Sequence, residues 1–217
     1  MRPHFYSLRP GRLSYRAGLA LQEGYLTTVL TRGDLLILLA HPATITLGRS
    51  SAPEHLLSSP ALLQEQGVEV FRVARGGDVT YHGPDQVVGY PLIDLSRRGR
   101  DLHRYLRDLE EVLILTLAQW GISGRRHPNH TGVWVAEGKI ASLGVGVRRW
   151  VSWHGFALNL GADPAGFAHI IPCGLTGVQM TSMEELLGYV PERRSVEDAL
   201  IANFAEVFDV EHAGSYD

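Results

Sequence analysis

The sequence predicts an α+β fold, a mixed β-sheet flanked by helices, and three observations carry that prediction. Residues 35–40 and 86–92 are apolar over strand length, and the first run is bounded by Gly33-Asp34, a turn signal. Residues 101–120 place Leu102, Tyr105, Leu106, Leu109, Val112, Leu113 and Leu117 at three- and four-residue spacing, with Gly121 as the stop, which is an amphipathic helix. Strand-like and helix-like segments are mixed without a regular βαβ repeat, so the sheet is expected to be mixed rather than all-parallel.

The elements follow in order. Residues 14–30 have helical spacing through Leu19, Leu26 and Leu30. Residues 35–40 read as a buried strand and 44–47 as another, ending at Gly48. Ser59-Pro60 is a helix start, serine at the cap and proline in the first turn, and Gly67 closes that helix. Residues 68–73 alternate as a strand does, and 86–92 form a further strand. After the long helix, residues 133–135, a turn at Glu137-Gly138, and residues 139–147 and 153–160 suggest a β-meander. Ser195-Val196-Glu197-Asp198 reads as a capping box opening a last helix to about Phe208. No repeat or long linker interrupts the chain, so one domain over residues 1–217 is expected.

Composition narrows the function classes. Hydrophobic content of 45% and charged content of 20% over 217 residues describe a globular chain able to bury a core. A formal net charge of −3 does not suggest a nucleic-acid binder. Arginines nevertheless cluster at Arg97, Arg98, Arg100, Arg104 and Arg107, at Arg125-Arg126 and at Arg148-Arg149. Such patches suit an acidic protein or a phosphate-bearing carrier, or equally a solvated helix face. One cysteine cannot form an intrachain disulfide, the longest apolar run is too short for a membrane span, and the first residues lack a hydrophobic signal core. A soluble, cytoplasmic, monomeric protein with no membrane partner is the expectation.

Two singletons point to chemistry. Cys173 is the only cysteine, and of the 20 lysine and arginine residues only Lys139 is lysine. A cysteine attacks as thiolate, which a neighbouring ammonium favours, and arginine cannot replace lysine as a proton acceptor. On composition alone Cys173 is equally a small core residue and Lys139 a turn residue; the motifs around them argue otherwise. Arg75-Gly76-Gly77-Asp78-Val79-Thr80-Tyr81-His82 combines paired glycines with a dense set of donors and lacks the Lys-Ser/Thr ending of a nucleotide P-loop. Lys139 opens a strand whose small residues Ala141, Ser142 and Gly144, beside Leu143, leave room for a slender ligand. His154-Gly155-Phe156-Ala157-Leu158-Asn159 is a second small-residue strand, where either polar end is individually a structural residue or a supporting one. Pro172-Cys173-Gly174 has no helical propensity and could present sulfur to a cleft. His127 and His130 flank Pro128-Asn129, no Cys-x-x-Cys or His-Glu-x-x-His occurs, and no metal site is expected.

Together these stretches resemble the lipoyl(octanoyl) transferases, relatives of the lipoate and biotin protein ligases. The matching residues are Arg75-Gly-Gly-x-x-Thr-Tyr-His-x-x-x-Gln86 with Tyr90-Pro91, Gly138-Lys-Ile-Ala141, His154-Gly-x-Ala-Leu-Asn159, Pro172-Cys-Gly174, and His41-Pro42 with Thr46-Leu-Gly-Arg49 upstream. They occur in order between about residues 20 and 185. Asp85, where glycine is usual, and Ser142, where alanine is frequent, depart from the pattern.

The resemblance implies a ligase-like catalytic fold, a mixed sheet flanked by helices plus a smaller sheet. It implies Cys173 as acyl-thioester nucleophile, Lys139 as its partner, and an acyl pocket from Arg75 to His82, Ser142 to Gly144 and Gly155 to Ala157, with His154 and Asn159 possible supports. It implies an acyltransferase that moves octanoyl from the phosphopantetheine of acyl carrier protein to a lysine of lipoyl domains of 2-oxoacid dehydrogenases and of the glycine cleavage H protein, needing no ATP or metal cofactor. Three alternatives stand beside it. An ATP-dependent lipoate–protein ligase would need no cysteine. A non-catalytic acyl- or carrier-binding protein would need no thiol–amine pair. A cysteine hydrolase would use His154 as base and Asn159 to orient it, without a protease signature around Cys173.

Overall fold

The computed structural model describes residues 3–216. In chain order the elements are β1 (His4–Arg12), α1 (Tyr15–Tyr25), α2 (Val29–Arg32), β2 (Asp34–Ala40), β3 (Thr44–Leu47), α3 (Pro60–Glu65), β4 (Glu69–Arg72), β5 (Val79–His82), β6 (Gln86–Leu92), α4 (Leu102–Ala118), β7 (Arg125–Arg126), β8 (Val133–Trp134), β9 (Lys139–Arg148), β10 (Val151–Asn159), α5 (Pro164–Phe167), α6 (Met183–Leu187), α7 (Arg193–Val207) and β11 (Glu211–Ser215). Eight strands form one sheet in the order β11-β1-β2-β6-β10-β9-β8-β7, and three form a second in the order β4-β3-β5. β1 pairs parallel to β11 and β2, while β2, β6, β10 and β9 pair antiparallel, so the large sheet is mixed.

The continuous apolar runs become central strands because both faces of the large sheet are covered. β2 and β6 are buried along their whole length. On one face α4 and α7 pack Leu109, Val112, Leu113, Leu200 and Phe204 over Leu36, Leu38, Val87 and Leu158. On the other, Leu26 and Val29 cover Leu35, Ile37, Val88 and Leu92. The small sheet has its own core, Ile45, Leu47, Leu63, Val79, Tyr81 and Ile170. No helix of the described residues is long and apolar enough to cross a membrane.

The helix expected over 14–30 is two helices. Ser14 caps α1 by accepting from the Ala17 N–H, but the helix ends at Tyr25 and resumes at Val29 after a turn over Leu26-Thr27-Thr28. The β-branched threonines disfavour helical continuation. The capping box is also relocated. α7 starts at Arg193, and the Glu192 carboxylate accepts from the Arg194 and Ser195 N–H groups, so Ser195 lies inside the first turn. The real box is Ser182 with Glu185 at α6: each side chain satisfies the other's backbone N–H. The sequence pattern marks no strand at β1, β5, β7 or β11.

The arginine cluster of α4 and its approach is largely paired within the chain. Arg97 meets Asp94, Arg98 meets Asp34, Arg104 meets Asp108 and Arg107 meets Glu110, while Arg126 reaches Glu110 and Glu111. Glu110 is fully buried and its other oxygen accepts from the Gly132 N–H at 2.9 Å. This ties α4 to the loop before β8. Ser182→Ala is expected to cost about 1 kcal/mol in urea denaturation, with Ser195→Ala costing less, because Ser182 alone of the two is an N-cap.

Candidate active site

Lys139 is the first residue of β9 and only 2% exposed. A buried ammonium must find partners. Its Nζ donates to the Thr131 carbonyl at 3.1 Å and to Cys173 Sγ at 3.1 Å, and lies 5.4 Å from the Trp134 ring centroid. Residues far apart in sequence, as the motifs anticipated, are thus brought into contact. The strand holding Lys139 is fixed from the side by a parallel segment: Lys139 N–H donates to Gln179 O, and Thr181 N–H donates to Lys139 O. Gly132, at φ 135°, packs on the lysine; a Cβ there would lie 2.5 Å from Lys139 Cε.

Cys173 is half-buried at the centre of a single 3-10 turn, Pro172–Gly174, where sequence reading expected a loop. Its φ of 58° and ψ of 17° are left-handed, as is Gly174 at φ 68°. The Gly174 N–H donates to Ile171 O.

The pair sits on a cavity of about 220 Å³. All the residues expected in the site line it except Gly76, Tyr81 and Asn159. Gly76 N–H ties its loop to β9 through Val145 O. Tyr81 turns into the small-sheet core and donates to Asp163. Asn159 accepts from Gln86 Nε2 and donates to Thr181 O, so it supports Lys139 through the 179–181 segment. Sequence reading missed six lining residues: Tyr15, Tyr90, Asn129, His130, Thr131 and Leu175. Tyr90 stood in a motif; Tyr15 arrives on the first turn of α1, with nothing local to mark it.

Arg75 is buried beside the cavity and donates to Thr46 O, Thr46 Oγ1 and Gly76 O. Burial pulls its pKa down, and Tyr15, Cys173, Tyr90 and Asp78 partly offset this. The guanidinium stays charged, so a cation faces the sulfur's surroundings. His41, His82 and His154 are neutral by contrast. His41 donates through Nδ1 to Leu13 O and accepts at Nε2 from Tyr90 OH. Burial, with His41 and Arg75 adding to it, holds His82 well below the ordinary imidazole range. Burial and then Arg75 push His154 down to about 3. His154 has φ 53°, and its N–H donates to Gln22 Oε1 of α1 rather than along the sheet. Its two ring nitrogens, His82 Nδ1 and Ser142 Oγ find no partner within the protein and line the cavity. They add polar groups to the wall of the chamber without adding charge.

Comparison with known proteins places this geometry. The model of the lipoyl protein ligase A/B catalytic domain matches residues 14–205. The chain belongs to that family. Octanoyltransferases of Geobacter metallireducens and Chloroflexus aurantiacus are 46% and 45% identical to it, each covering more than nine-tenths of both chains. Among solved structures, the bipartite lipoate protein ligase of Thermoplasma acidophilum superposes with a TM-score of 0.79 at 17% identity, covering 99% of this chain and 87% of that one. The biotin protein ligase of Aquifex aeolicus in complex with biotin and ATP gives 0.56 at 11%, covering 95% and 70%. These structures share the fold.

Two outcomes follow. Gly132→Ala displaces the amine, so alkylation of Cys173 by iodoacetamide slows several-fold, and the thermal midpoint falls as well, because an alanine at φ 135° is strained and its Cβ would also lie 2.8 Å from Ala141 O. For His154, the unfolded chain binds a proton near pH 6.5 and the folded chain only near pH 3, so its stabilising effect is full above pH 6.5 and declines below it. In urea titrations between those limits, His154→Gln is expected to lose less stability on acidification than the native protein, by up to about 1.4 kcal/mol per pH unit.

Proposed function

We propose that the site transfers an octanoyl group from acyl carrier protein to a lipoyl-domain lysine through a thioester on Cys173. The chain is an octanoyltransferase, an acyltransferase of protein lipoylation. The observation that carries the mechanism is Lys139 Nζ at 3.1 Å from Cys173 Sγ, on the rim of a chamber sized for a slender chain.

The steps balance within the pair. Cys173 thiolate attacks the acyl thioester carbon; the pantetheine sulfur leaves with the electron pair and takes a proton from the Lys139 ammonium. Lys139 is then a neutral amine beside an acyl-Cys173. The acceptor lysine, having lost one proton to solvent, attacks that thioester as a neutral amine. Lys139 takes the proton its nitrogen sheds, and Cys173 leaves as thiolate, restoring the starting state. Exchange of one thioester for another is nearly neutral, and formation of the amide drives the sequence, so no ATP is required. Each CH₂ of the acyl chain buried in the chamber contributes about 0.8 kcal/mol at most. The docking partners are the phosphopantetheine-bearing carrier and the lipoyl domains of 2-oxoacid dehydrogenases and the glycine cleavage H protein.

Intact mass after mixing with octanoyl-acyl carrier protein, without ATP, tests the reading. The native protein gains one hydroxylamine-labile octanoyl group; Cys173→Ser gains none labile as a thioester. Lys139→Arg, which keeps charge but accepts no proton, loses at least about 10²-fold in transfer rate. An intact carrier and no adduct on the native protein would turn the reading toward the ligase, tested next with ATP and free octanoate.

A further inference from the structure

Directly against the cysteine turn lies a hydrogen-bonded histidine–aspartate pair that the mechanism above does not use. His55 Nδ1 donates to Asp78 Oδ2 at 2.7 Å, and both side chains are largely buried. The other Asp78 oxygen accepts from the Val79 N–H, which fixes the carboxylate at the start of β5. The backbone of Gly174 rests on this pair. A Cβ at Gly174 would lie 2.6 Å from Asp78 Oδ2, 2.8 Å from His55 Cε1 and 3.0 Å from His55 Nδ1. The His55 main chain holds the same turn from its other end, its carbonyl accepting from the Ile171 N–H at 2.9 Å.

The turn needs such support. Cys173 at φ 58° is a non-glycine residue in the left-handed region, followed by a second left-handed residue. A conformation of that kind is strained and persists only where surrounding structure over-determines it. The bonds inside the turn, Gly174 N–H to Ile171 O and Leu175 N–H to Pro172 O, do not anchor it to the rest of the protein.

We propose that His55 and Asp78 are a positioning pair for the nucleophile. Pressed against Gly174, they hold Cys173 in its left-handed conformation and so keep Sγ on Lys139. Neither residue needs to touch the acyl group or exchange a proton. This rests on Cys173 being the acylated residue.

The test is single-turnover octanoylation followed by intact mass, in the native protein, His55→Ala, Asp78→Ala, the double variant and His55→Asn, with thermal melts of each. The melts report global folding; a shift of an ångström at the reacting sulfur costs about 10²-fold in a chain that stays folded. His55→Ala and Asp78→Ala should each slow acylation by about ten- to a hundredfold with the donor KM little changed. The double variant should be no slower than the slower single. His55→Asn, whose amide nitrogen takes the place of Nδ1 and still donates to the carboxylate, should recover most of the rate. Singles at the native rate, losses that multiply in the double, a loss carried by KM, or an asparagine variant as slow as alanine would overturn the proposal. Should the native protein take up no octanoyl group, the thioester reading fails separately. Iodoacetamide alkylation of Cys173 across the same set then decides the pair: the same pattern of losses and rescue supports it, and a flat series rejects it.

Discussion

The contact between a buried lysine and a half-buried cysteine is the constraint around which the rest is arranged. Burying an ammonium is unfavourable unless its hydrogens find acceptors, and Lys139 has Thr131 O, Cys173 Sγ and the face of Trp134. Each partner is held in turn. Glu110, fully buried on α4, holds the Gly132 N–H beside Thr131. Gln86 and Asn159 hold Thr181, whose N–H binds the Lys139 carbonyl. A long amphipathic helix and a buried amide pair, neither in contact with the sulfur, therefore determine where one amine sits.

The chamber obeys a complementary rule. His82 and His154 are kept uncharged in its wall by burial, while the permanent charge of Arg75 is bound to backbone and threonine oxygens. Neutral imidazoles are far less costly beside an apolar chain than imidazolium would be.

Much of this was legible from residues, for physical reasons. The runs at β2 and β6 are largely apolar because both sheet faces are covered, and α4 shows its buried stripe through Tyr105, Leu109, Val112, Leu113 and Leu117, while Leu102 of the same pattern is exposed. The cavity-lining motifs were visible because close backbone approach demands small residues in unusual density. What escaped notice had no local signal. β11 carries Glu211, His212 and Gly214 and is largely exposed; it is a strand only because β1 offers a parallel edge. β5 lay hidden inside a motif read for its donors. Tyr15 reaches the cavity through the packing of α1 on the sheet, which periodicity does not reveal. Nothing in the letters Pro-Cys-Gly announces a left-handed cysteine.

The amine and the thiol also belong to different bodies. Lys139 rides on the eight-stranded sheet, whereas the cysteine turn is stitched to the three-stranded one, through Ile170, which packs in its core, and through His55 and the Leu56–Ile170 bridge. The 3.1 Å gap between them is thus a gauge of how the two sheets are seated. A volume change in the small core, at Ile45 or Leu63, would register as misalignment at the sulfur even in a chain that stays folded. Packing in that core therefore sets the thiol–amine distance as well as the stability of the small sheet.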